Sequence, residues 1–123
     1  MVAAYAGWVP SVELLYWEGC PSHPRALAEL RVALVELDRP DVEVAMVEIE
    51  TETQAAEQGF VGSPTLRIAG VDVVAVPAGE PTGLTCRVYR RRDGRFAPTP
   101  DPDDLRDGLR RLLPARAQEV ASR

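Results

Sequence analysis

Residues Val12–Leu37 read VELLYWEGCPSHPRALAELRVALVEL, and this stretch decides the fold. Its first part, Val12 to Trp17, is a short apolar and aromatic run bounded by Pro10 and by Gly19-Cys20-Pro21. A run of that length between turn residues reads as a buried strand. From Pro24 the pattern changes: Leu27, Leu30, Leu34 and Leu37 recur at three, four and three residues, with Glu29, Arg31 and Glu36 between them. That is the stripe of an amphipathic helix. The helix is predicted to stop at Asp38-Arg39-Pro40, since the residue before a proline is pushed out of the helical region. Cys20 therefore falls in the turn where a strand hands over to a helix.

Working outward, Val42 to Ile49 (VEVAMVEI) is rich in β-branched residues and reads as a second buried strand. Thr51 to Phe60 carries a cap residue, good helix formers and a stop at Gly59, which predicts a short helix. Thr65 to Ala69 and Val71 to Val76 are two strands hinged at Gly70, a tight antiparallel hairpin whose turn residues are not the favoured pair. Pro77 to Gly83 is a loop, and Leu84 to Arg90 is expected to form a further strand. A last helix starts at Asp101 or Asp103 and runs through Leu105, Leu109, Leu112 and Leu113, with acids in its first turn and Arg110 and Arg111 in its last, as a helix dipole favours.

Strand, helix, strand, helix, hairpin, helix implies a parallel pair with an antiparallel addition, so the fold class is α/β: a central mixed sheet with helices on both faces. Residues 12–114 form one domain, preceded by an extension over 1–11 and followed by a frayed tail over 115–123. At 123 residues and 46% hydrophobic content the chain can build a core without metal or disulfide support.

Nineteen acidic residues against 14 basic ones leave a net charge of −5, which repels a phosphate backbone and excludes nucleic acid as a partner. Every basic residue is Arg, and Lys and Asn are absent. The opening residues lack a basic segment and a clear cleavage site, and charges interrupt every hydrophobic stretch, so the expectation is a cytoplasmic protein with no membrane association. Two cysteines are too few for a disulfide framework and point instead to redox or metal chemistry.

Cys20 sits in Trp17-Glu18-Gly19-Cys20-Pro21-Ser22-His23-Pro24. A helix start offers unpaired N–H groups and the positive end of the dipole, both of which lower a thiol's pKa from about 8.5 and make it nucleophilic. His23, three residues on, shares a face with Cys20 and is placed to move a proton, although the dipole disfavours its cationic form. The segment resembles the active-site turn of thioredoxin and glutaredoxin-like proteins, with Cys20-Pro21-Ser22-His23 standing on the Cys-x-x-Cys position. Val61-Gly62-Ser63-Pro64-Thr65 is similar to that family's cis-proline loop. The resemblance implies a thioredoxin-like fold, a cis bond before Pro64 packed against Cys20, and a substrate aligned by Trp17, Pro21, Ser63, Pro64 and Thr65. It implies no cofactor, and as substrate a protein disulfide or a low-molecular-weight thiol such as glutathione.

His23 occupies the position of the family's resolving cysteine, so three readings stand. Cys20 works alone with glutathione as resolver; Cys86 resolves it; or Cys20 and His23, with Cys86, bind a soft metal. A non-catalytic adaptor on the same fold is a further alternative. Cys86 lies in Gly83-Leu84-Thr85-Cys86-Arg87-Val88-Tyr89-Arg90, flanked by Arg87 and by the basic run Arg90-Arg91-Arg92, whose guanidinium groups favour its thiolate, and the run is also placed to receive an acidic group. The Cys-Pro turn together with Cys-Arg-x-Tyr is similar to small thioredoxin-like proteins labelled organomercurial-lyase-like, hence the mercury alternative.

Overall fold

A computed structural model describes residues 10–115, so the expected extension, apart from its last two residues, and the tail beyond Ala115 lie outside the described residues. Its elements are β1 (Ser11–Tyr16), α1 (His23–Glu36), β2 (Glu43–Glu48), α2 (Glu52–Gln58), β3 (Thr65–Ile68), β4 (Val71–Asp72), β5 (Tyr89–Arg90), β6 (Phe96–Ala97) and α3 (Pro102–Leu112). Four strands form a mixed sheet in the order β2-β1-β3-β4. β1 and β2 pair in parallel from Ser11↔Glu43 to Tyr16↔Glu48, while β3 runs antiparallel to both β1 and β4.

β1 is paired on both sides, and its alternate side chains feed two cores. Val12 and Leu14 pack with Leu66 and Ile68 of β3, Leu30 and Leu34 of α1, and Leu105 and Leu109 of α3. Leu15 points the other way, into a smaller cluster with Ile49, Ala55 and Phe60 beneath α2. Helices thus cover both faces of the sheet. Each fully buried Leu contributes roughly 1.5–3 kcal/mol of transfer free energy, so the larger cluster dominates stability. α3 comes so close to the sheet that a Cβ on Gly108 would collide with the Val73 carbonyl.

The helix ends follow local chemistry. α1 stops one residue earlier than the proline argument required: Asp38 adopts φ 54°, and Asp38 and Arg39 donate their backbone N–H groups to the carbonyls of Val35 and Leu34. This is a Schellman closure, which ends the helix before Pro40 can act. α2 begins on Thr51, whose hydroxyl accepts the Gln54 N–H at 3.0 Å, and ends on Gly59 at φ 61°. α3 begins on Asp101, whose carboxylate accepts the N–H groups of Asp103 and Arg92, and these two bonds hold the Asp101 carboxyl below its usual range.

Three expectations are corrected. Of the expected strand Val71 to Val76 only Val71–Asp72 is a strand. Among the described residues β2 is an edge strand, with Met46 42% exposed, because no described strand pairs with its outer side. The run Leu84–Arg90 does not join the sheet: only Tyr89–Arg90 is a strand, paired with Phe96–Ala97 in a separate ribbon. Cys86 makes one isolated bridge to Ser63 instead. Among the described residues no helix is long and apolar enough to cross a membrane.

Candidate functional site

Tertiary structure brings together two segments that are far apart in sequence, the turn after β1 and the segment 85–89. Cys20 follows β1 in a turn closed by its own N–H to the Trp17 carbonyl at 3.0 Å. It stands two residues ahead of the α1 N-cap, Ser22, and is completely buried. Cys86 lies across from it, with the two sulfurs joined as a disulfide and the Cα atoms 5.5 Å apart, within the ordinary span of that bond. The sequence left open whether Cys86 reaches Cys20, and the structure brings the two together.

The loop before β3 builds the other wall. The Ser63-Pro64 bond is cis, and the Ser63 carbonyl lies 3.5 Å from Cys20 Sγ. Ser63 donates its N–H to the Thr85 carbonyl and accepts from the Arg87 N–H, both at 2.8 Å. Both main-chain groups of Ser63, one of the residues the resemblance assigns to substrate alignment, are therefore occupied by the protein's own segment 85–87. Gly62, at φ 142°, is required by this approach: a Cβ there would stand 2.8 Å from Arg87 N. The Ser63 hydroxyl is buried without a hydrogen-bond partner.

Arg87, expected beside Cys86 as a guanidinium that favours its thiolate, and Tyr89, which sequence reasoning did not assign to the site, lock the segment in place. Arg87 is 7% exposed, and its guanidinium donates to Thr65 Oγ1 at 3.3 Å and to the Val74 carbonyl at 2.9 Å while lying 4.3 Å over the Tyr89 ring. Arg87 is thus spent on the framework and not on a thiolate. Tyr89 donates its hydroxyl to the Pro64 carbonyl at 2.5 Å, and burial pushes its phenol up to about 12, so it remains a donor at neutral pH. The one available signal was the spacing Cys86-Arg87-x-Tyr89, which places both anchors directly behind the cysteine.

The remaining predicted residues take other places. His23 Nδ1 is 3.1 Å from the Cys20 carbonyl and its ring stacks on Tyr16 at 4.5 Å, so its placement closes the turn and packs the helix start. Trp17 is half-buried against the smaller core, its indole lying over Gly19. Pro21 is exposed, whereas Pro64 and Thr65 are buried, with Thr65 Oγ1 donating to the Gly62 carbonyl at 2.7 Å. The basic run is largely committed within the chain: Arg92 pairs with Asp104 and Asp107, Arg91 reaches Thr99, and Arg90 lies over Phe96. Among the described residues no three His, Cys, Asp or Glu side chains converge as metal ligands. A groove of about 490 Å³ lined by Leu34, Val35, Pro40 and Val44 opens at the far end of α1, remote from the cysteines.

Comparison with known protein families, with curated proteins and with solved structures gives no match to this chain.

Proposed function

We propose that this protein is a thioredoxin-like thiol-disulfide oxidoreductase that cycles between a Cys20-Cys86 disulfide and two thiols. The observation that carries the reading is the pairing itself: a buried sulfur at a strand-to-helix turn faces an exposed cysteine on a separately anchored segment. Exposure of one partner leaves the bond open to exchange, whereas purely structural disulfides are usually shielded. The element order, the strand order β2-β1-β3-β4 and the cis bond beside Cys20 support the thioredoxin-like assignment. The substrate is a protein disulfide or a low-molecular-weight thiol such as glutathione.

The test is turnover of bis(2-hydroxyethyl) disulfide with glutathione as reductant. The wild-type protein is expected to accelerate the exchange, and Cys20→Ser and Cys86→Ser each to return it to the uncatalysed rate. No acceleration by the wild type, or wild-type activity retained in either variant, would sink the proposal.

A further inference from the structure

We infer that the roles of the two cysteines are the reverse of the one the strand-to-helix turn suggests: Cys86 is the sulfur that exchanges with substrate, and Cys20 is the buried thiol that resolves it. The inference rests on the oxidoreductase reading above and assigns the order of its steps. An attacking thiolate must reach a sulfur along the line of the S–S bond, and Cys20 has no exposed surface at all. Cys86 is exposed. The nucleophilicity argued for Cys20 from its helix position does not help a sulfur that no substrate can touch.

Opening the bond does not uncover Cys20. The contacts that hold segment 85–89 over it run from Ser63 to Thr85 and Arg87, from Arg87 to Thr65 and Val74, and from Tyr89 to Pro64, and none of them involves sulfur. They persist when the disulfide is reduced. The Ser63 carbonyl, 3.5 Å from Cys20 Sγ, then accepts the S–H proton of the reduced thiol.

The chemistry balances in both directions. In oxidation of a thiol, RS⁻ attacks Cys86 Sγ, the Cys20–Cys86 bond breaks, and Cys20 leaves as a thiolate that takes a proton from solvent. A second RS⁻ attacks the substrate sulfur of the mixed disulfide, releasing RSSR and the Cys86 thiolate. In reduction of a disulfide, the Cys86 thiolate attacks RSSR and expels RS⁻. Cys20, deprotonated ahead of α1, then attacks Cys86 Sγ, expels the second RS⁻ and restores the internal disulfide.

The experiment treats the oxidised full chain briefly with glutathione, quenches in acid, alkylates free thiols with iodoacetamide and digests at arginine. Cleavage separates Cys20, in residues 1–25, from Cys86, in residues 68–87. Glutathione is expected on Cys86 over Cys20 by about tenfold or more, with Cys20 alkylated. In parallel, Cys86 in Cys20→Ser should react with iodoacetamide about tenfold faster than Cys20 in Cys86→Ser. Glutathione found mainly on Cys20, or faster labelling of Cys20, overturns the assignment while leaving the oxidoreductase reading intact. A disulfide that glutathione does not open at all overturns both.

Discussion

At the residue scale, the site depends on a few polar atoms that have no freedom to be anything else. The Tyr89 hydroxyl is buried against the Pro64 carbonyl, and removing it leaves that carbonyl without its partner. An unpaired buried acceptor costs about 1–3 kcal/mol, so Tyr89→Phe should lower the unfolding free energy by that amount, read as a lower urea midpoint at unchanged slope. The substitution also loosens the segment over Cys20, and alkylation of Cys20 in the reduced protein should accelerate. The phenol's raised pKa fixes the pH sign: its contribution is fully present below the unfolded value of about 10 and is lost as pH rises toward about 12. Tyr89→Phe should therefore remove an alkaline loss of stability as well as the neutral-pH gain. A variant as stable as the wild type at pH 7, with Cys20 no more accessible, would show that the contact anchors nothing.

At the element scale, the hairpin β3-β4 shows how chemistry reads through to geometry. Its two turn residues, Ala69 and Gly70, adopt φ 50° and 80°, the paired left-handed conformation of a type I′ turn. Gly70 adopts it freely, but Ala69 carries a Cβ that crowds the carbonyl and costs about 1 kcal/mol. Ala69→Asn should therefore raise stability by about 0.5–1 kcal/mol, since the exposed position offers nothing else to lose, and calorimetry showing an unchanged or lower midpoint would contradict this. The hairpin and its turn were legible because the apolar runs and Gly70 are local signals, but the apolar run over 71–76 overstated the second strand, which ends at Asp72. Also legible were β1, α1, α2 and α3, whose periodicity and caps lie within each segment. The burial of β2 was not legible, because whether a strand of alternating Val and Glu lies at the centre or the edge is decided by what pairs with its far side. Leu84–Arg90 failed for a related reason: an apolar run reads as a strand, but its backbone bonds go to one residue, Ser63, and then to a separate ribbon. Of the site, the strand-to-helix turn that carries Cys20 and the proline loop were visible as motifs. The pairing of Cys20 with Cys86 stayed one alternative among three, since nothing local to either cysteine encodes where the other lies.

At the scale of the whole molecule, the disulfide closes a loop of more than half the described chain, from the end of β1 to the segment that leads into β5. By the loop-entropy relation a closure of this length restricts the unfolded chain by about 4 kcal/mol. That is a large share of the roughly 5–15 kcal/mol by which single domains are stable, so a cycling enzyme has to survive its loss. Neither core contains Cys86, and the bonds that tie segment 85–89 to Ser63, Pro64, Thr65 and Val74 involve no sulfur, so they do not depend on the disulfide directly. Reduction is therefore expected to lower the unfolding free energy by about 2–4 kcal/mol, while the reduced protein still unfolds in a single cooperative transition, with a steeper urea slope because the unlinked unfolded chain exposes more surface. Urea titrations with and without a phosphine reductant measure this directly. If the reduced chain instead lost its cooperative transition, the Cys20-Cys86 bond would be a structural staple, no folded dithiol state would exist to carry electrons, and the oxidoreductase cycle would fail with it.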